Sequence, residues 1–267
     1  SLSSMFCFGR EMLAGFLRPS FYRAATNSDR TDRSFVLAAT VFSKETDWRT
    51  IQNNLTCSKF HYEMEGQDFT LVAHYKSPAF KNEVLVGYRM SPSGVLSASL
   101  AFTPRYPLLR YGFRVRLPKS LDRILWYGRG LLESYPDRKE SSRIGLYEST
   151  PAEMYHEYAR PQENGSHTDT DFLIVCDETG SGIKITSGGE SRFSFTATPF
   201  SPESIDGHQH QEELTDDDTY ELFLDFYQRG IERTGFETGT SERNTPARGT
   251  FIIEPFLRSL PSDPGFL

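Results

Sequence analysis

Residues 95–102 read V-L-S-A-S-L-A-F, and their alternation is strict. On an extended chain Val95, Ser97, Ser99 and Ala101 take one face, while Leu96, Ala98, Leu100 and Phe102 take the other. Side chains repeat every two residues in a strand and every 3.6 in a helix, so this run is a half-buried antiparallel strand and not a helix. A turn, Ser91-Pro92-Ser93-Gly94, precedes it, and before that lies a second β-rich run, 83–90. Runs of the same character recur at 69–75, 111–117, 121–127, 172–176, 182–186, 191–198, 220–227 and 250–254. Ten strands at hairpin spacing predict an all-β fold, a large twisted antiparallel sandwich.

Helices are expected at only two places. One is 47–54, with Thr46 as cap; the other is 202–207, with Ser201 as N-cap and Pro202 at the first helical position. Residues 23–32 read as a polar surface loop, and 206–218 as the most polar loop of the chain. No repeat at a fixed 20–50-residue period is visible, which argues against a propeller. One domain is expected over 1–257, followed by a Pro-containing tail at 258–267.

Composition narrows the function. The 21 Phe and 13 Tyr suit sheet packing, and 267 residues bury enough surface to need no disulfide or metal staple. A net charge of −7 argues against nucleic acid or an anionic membrane as partner. No apolar run approaches the ~18 residues of a membrane span. Cys7, Cys57 and Cys176 form no C-x-x-C pair and read as reduced thiols. The apolar stretches near the start are broken by Arg10, Glu11 and Arg18, unlike a secretory signal, so the expectation is a cytoplasmic protein.

One pair of segments is specific. Residues 126–138 read W-Y-G-R-G-L-L-E-S-Y-P-D-R, and 154–165 read M-Y-H-E-Y-A-R-P-Q-E-N-G. The pair resembles the W-(Y/L)-G-x-G-P-x-E-x-Y-P-D-R … M-Y-x-x-Y-x-x-P-x-E-N-G signature of the C-terminal domain, or small subunit, of family-two glycoside hydrolases of the β-galactosidase type. Segments 21–30, 193–201 and 224–231 resemble further motifs of that family in the same order. The resemblance implies a galactose mutarotase-like supersandwich that packs on a catalytic TIM barrel, absent here, and lends loops to the rim of a β-galactoside site. The catalytic residues belong to the barrel, as does any Mg or Na ion; none, and no cofactor or metal, is expected in this chain.

By the same resemblance the rim comprises Asn27, Ser28, Asp29 and Arg30, with Phe236 and Glu237 on a second loop, and loops 27–32 and 234–237 should meet. Thr31 stands where the family has Gly, and Glu232 likewise replaces a Gly. Trp126, Gly128, Glu133, Tyr135, Pro136, Asp137, Arg138, Glu163, Asn164 and Gly165 are expected to be structural. Asp137 and Arg138 should order a turn, Glu163 should tie backbone amides, and Asn164-Gly165 should turn through positive φ. His208 and His210, at i and i+2, point to opposite faces of an extended chain, with no third ligand apparent. His156 sits at a variable motif position. Two rivals remain at this stage. A free-standing aldose epimerase-like enzyme would need a histidine and a carboxylate facing each other. A non-catalytic carbohydrate-binding module would need an exposed aromatic cluster.

Overall fold

The computed structural model describes residues 2–31, 48–231 and 244–258. Its strands are β1 (Phe6–Cys7), β2 (Arg10–Glu11), β3 (Arg18–Ser20), β4 (Thr56–Glu65), β5 (Asp68–Lys76), β6 (Val84–Met90), β7 (Leu96–Phe102) and β8 (Arg110–Pro118). The second half adds β9 (Arg123–Gly130), β10 (Arg143–Ser149), β11 (Ser166–Thr170), β12 (Phe172–Cys176), β13 (Ser181–Ser187), β14 (Phe193–Thr198), β15 (Thr219–Gln228) and β16 (Ala247–Leu257). All pairings among them are antiparallel. A nine-stranded sheet runs β10-β9-β12-β13-β16-β7-β6-β5-β4, a five-stranded sheet runs β11-β14-β15-β8-β3, and β1 and β2 form a small hairpin.

The core lies between the two larger sheets. Leu96, Ala98, Leu100 and Phe102 of β7 are buried and their neighbours are half-buried, as the alternation predicts. From the smaller sheet, Phe113 and Val115 of β8 and Leu222 and Leu224 of β15 face inward. The layers interdigitate through aromatic rings: Phe113 meets Phe251 edge-on at 6.3 Å, and Trp126 meets Phe195 at 5.6 Å. The outer face of the smaller sheet is charged instead, with Arg114 and Arg116 of β8 paired to Glu221 of β15 and the Arg114 guanidinium over the Phe223 ring.

Short helices decorate the sandwich. Pro202–Gly207 follows its expected cap, with the Ser201 hydroxyl accepting from Ser204 N at 3.1 Å. Trp48–Asn53 forms within the expected span, while its expected cap, Thr46, lies outside the described residues. Two further helices, Asn27–Thr31 and Pro151–Met154, were not expected; the second carries a complete capping box from Thr150 and Glu153. The first corrects the loop reading of residues 23–32. Arg23 and Asp29 are buried there, because their charges are paired with each other. Among the described residues no helix is long and apolar enough to cross a membrane.

Candidate functional site

Arg23 leaves β3 on the short apolar run Phe21-Tyr22, and its side chain is fully buried. A buried guanidinium must find acceptors for its N–H groups. Here it donates to both oxygens of Asp29, at 3.2 and 3.0 Å, to Gly230 O at 3.0 Å, and to Arg229 O. Asp29 in turn caps its own helix. Its carboxylate accepts from Thr26 N and its backbone N–H donates to Thr26 Oγ1, both at 3.0 Å. One arginine therefore joins Asn27–Thr31 to the end of β15, about two hundred residues away in sequence.

Other contacts pin the same helix. Asn27 N donates to Gln162 Oε1 at 2.8 Å, and Arg30 pairs with Asp206 at 3.2 Å. Asp206 also accepts from Ala25 N and from the Tyr22 hydroxyl. Burial, followed by the Asp206 charge, pushes the Tyr22 phenol far above its ordinary value, so it stays a neutral donor. Asn27 alone of the four predicted rim residues of this helix is exposed; Asp29 is buried, and Ser28 and Arg30 are half-buried. Phe236 and Glu237, the other two rim candidates, lie outside the described residues. Gly230 and Ile231 are the last described positions before them.

The signature residues hold the floor beneath this arrangement. Asp137 does not merely order its own turn: its Oδ1 accepts from Ile231 N at 3.2 Å, across 94 residues. A Cβ on Gly230 would lie 2.1 Å from the Asp137 carboxylate, so only glycine lets the two segments approach. The turn itself closes through reciprocal backbone bonds between Tyr135 and Arg138, 3.2 and 2.9 Å, with Pro136 inside it. Gly128 of β9 pairs with Gly145 of β10. Glu133 takes the role expected of Glu163. It accepts from Gly165 N and from Tyr158 Oη, each at 2.8 Å, and from Arg138 at 3.2 Å. Gly165 adopts the expected positive φ, 73°, while Asn164 Oδ1 accepts from His156 N at 2.9 Å. Glu163 instead meets side chains, Arg110 at 3.2 Å and Gln228 at 3.1 Å. Arg110 is fully buried and makes a two-pronged bond to Asp225, at 3.0 and 2.8 Å. Burial works against its charge, but the Asp225 and Glu163 carboxylates outweigh burial and raise its pKa.

Arg23 and Arg110 were not singled out from sequence. An arginine inside an apolar run, as in F-Y-R-A-A, is the one local sign that such a side chain has a buried partner.

The family model described as beta galactosidase small chain matches residues 1–245. The chain belongs to that family. Among curated relatives, the β-galactosidase of Priestia megaterium (strain DSM 319 / IMG 1521) is 26% identical over 227 residues, 83% of this chain and 21% of the relative. That of Lactobacillus delbrueckii subsp. bulgaricus is 28% identical over 217 residues, 79% of this chain and 20% of the relative. The Kluyveromyces lactis enzyme (strain ATCC 8585 / CBS 2359 / DSM 70799 / NBRC 1267 / NRRL Y-1140 / WM37) is 36% identical over 127 residues, 47% of this chain and 11% of the relative. The chain thus spans about a fifth of the length of the first two.

Three of the six histidines of this small-chain sequence make specific side-chain contacts. His208 Nδ1 meets Ser204 O at 2.8 Å, and among the described residues no three His, Cys, Asp or Glu side chains group as a metal site. His74 and Glu83 are in direct contact at 2.8 Å, which lowers the Glu83 pKa and leaves no room for a substrate between them. His167 is buried between Trp126, 4.6 Å away, and Phe195, stacked at 5.3 Å, and its Nδ1–H donates to Arg129 O at 3.1 Å. Burial lowers its pKa to about 4. In the unfolded chain the imidazole takes its proton near 6.5, so between roughly pH 6.5 and 4 the unfolded state binds more protons. Stability should therefore fall across that window, by about 3 kcal/mol from this group alone. Urea unfolding of the chain and of His167→Gln at pH 7 and pH 4.5 reads the difference. The variant should lose this part of the pH dependence, and parallel curves would show that His167 does not carry it.

Proposed function

We propose that this chain is the non-catalytic C-terminal domain or small subunit of a β-galactosidase. It packs on the catalytic TIM-barrel part, in the same chain or a separate large subunit, and lends loops to the rim of the site where terminal β-galactosides are hydrolysed. The family match over residues 1–245, set against relatives about five times longer, carries the reading. The geometry supports it: Arg23 and Asp137 brace the stretch 229–231, five residues before Phe236 in sequence, against the helix bearing Asn27, Ser28, Asp29 and Arg30. A rim built from distant segments works only if rigid groups fix their bases. In this reading Asn27 and Ser28 face the sugar, Asp29 and Arg30 hold them, and Phe236 with Glu237 forms the opposite lip. Hydrolysis itself, by a pair of barrel carboxylates, lies outside this chain. The cytoplasm is the proposed compartment, in keeping with three free cysteines, one of them exposed.

The test is reconstitution. The purified chain should release no aryl group from an aryl β-galactoside, and adding the matching catalytic part should restore turnover. Turnover by the chain alone, above a mock-purified control, would overturn the proposal.

A further inference from the structure

β4 is the terminal strand of the nine-stranded sheet, and all ten of its residues are exposed. Among the described residues no strand pairs with its outer edge. Its sequence nevertheless alternates as a buried strand does. Phe60, Tyr62 and Met64 pair with Ala73, Leu71 and Phe69 of β5 and so share the face that becomes the core further along the sheet at Val86, Tyr88 and Met90. Beyond the cover of the smaller sheet this face is bare among the described residues, with Phe60 63%, Tyr62 66% and Met64 63% exposed. An open edge with a naked apolar face is a site for adding another strand.

We infer that the added strand is β4 of a second copy of this chain, paired antiparallel about a two-fold axis through Tyr62. That register sets Lys59 opposite Glu65 and His61 opposite Glu63 on the polar face, each twice by symmetry. On the apolar face it sets Phe60 opposite Met64 and Tyr62 opposite Tyr62. Every acidic side chain from 59 to 65 thus meets a basic one, and every apolar side chain meets an apolar one. Other registers do worse. Centring on His61 sets it against itself and leaves Glu65 opposite Cys57, beside the register shift between Cys57 and Lys59. Centring on Glu63 opposes two carboxylates, and parallel in-register pairing opposes every like charge. Existing partners do not block the pairing: Lys59 is 3.8 Å from Glu83, and Glu65 is 3.9 Å from Arg89, whose closer partner is Asp68 at 2.8 Å. A two-fold pairing closes on itself and yields a dimer with one continuous sheet. Nothing in it depends on the β-galactosidase reading.

Light scattering coupled to gel filtration, with sedimentation equilibrium, tests this on the full chain. The interface is smaller than a standard one, so a dimer of about twice 30.4 kDa with a dissociation constant on the order of micromolar is expected. Tyr62→Lys places two ammonium groups on the axis and should weaken it roughly tenfold or more. Lys59→Glu opposes Glu65 twice and should do the same, while Lys59→Glu combined with Glu65→Lys should restore dimerisation. These residues are exposed, and unchanged urea midpoints check that the variants fold. A chain monomeric at hundreds of micromolar, or a dimer indifferent to all three variants, overturns the proposal. So does a monomer whose Tyr62→Lys variant loses binding to the catalytic part, since the stripe then belongs to that partner. Reconstituted hydrolysis is read separately, so the two proposals fail independently.

Discussion

Trp126→Ala should lower the unfolding free energy by about 3–5 kcal/mol, the usual range for a large aromatic removed from a core. Trp126 is fully buried in β9. Its ring touches Tyr147 at 5.5 Å, His167 at 4.6 Å and Phe195 at 5.6 Å, and so spans the gap between the two sheets. Its indole N–H donates to Arg129 O at 2.9 Å, a carbonyl that also accepts from His167. Alanine would leave a cavity that stiff β-strands cannot close, and would take away one of that carbonyl's two donors. Urea unfolding followed by circular dichroism measures the loss. A change below about 1 kcal/mol would mean that the site collapses freely or that the ring contributes little. Trp126→Phe keeps most of the volume and should cost less than half as much.

The strands that alternation revealed are those with one face in the core. β7 is the example, since Leu96, Ala98, Leu100 and Phe102 are buried and the residues between them are half-buried. Six strands escaped: β1, β2 and β3 are only two or three residues long, too short to show a period, and three longer ones are hidden in other ways. β11 is buried but polar: Ser166 bonds Gln228 at 2.7 Å, and Thr168 meets Ser134 at 3.0 Å. Its burial rests on hydrogen bonds, to which apolar periodicity is blind. β10 is an edge strand with Leu146 67% exposed, so it lacks a wholly buried side. β4 does alternate, as K-F-H-Y-E-M-E, but none of its residues is buried, so its apolar stripe marks no core face. The site was legible only in outline. The signature located the turn at Tyr135 to Arg138 and the positive φ of Gly165. It did not tell which of two glutamates holds the Gly165 amide, because Glu133 and Glu163 have the same chemistry and only their placement decides. Nor does a linear sequence show that Asp137 reaches Ile231, since that contact exists only once the sandwich has closed.

Arg23→Met should cost about 3–5 kcal/mol, because it leaves the Asp29 carboxylate buried without its charge partner. Asp29 is 4% exposed, and among the described residues its carboxylate would keep only the bond from Thr26 N, while the carbonyls of Arg229 and Gly230 would each lose a donor. Asp29→Asn removes the charge and keeps the shape, so Arg23→Met with Asp29→Asn should cost less than the two single changes added together, by a coupling of roughly 1–3 kcal/mol. Additive losses would mean that the pair is not the unit holding the helix. Lysine is no substitute: its ammonium is a point donor that cannot fork to a carboxylate and two carbonyls together. The proposed rim adds a second readout. In the assembled enzyme, assayed well below its melting temperature, Arg23→Lys frees Asn27–Thr31 from the end of β15 while leaving the barrel carboxylates untouched. KM for a disaccharide should then rise several-fold with kcat little changed, since binding lost equally from ground and transition states appears in KM. Unchanged kinetics in an Arg23→Lys enzyme that is measurably less stable would make the clamp a matter of folding alone, and the rim would have to be sought elsewhere on the domain.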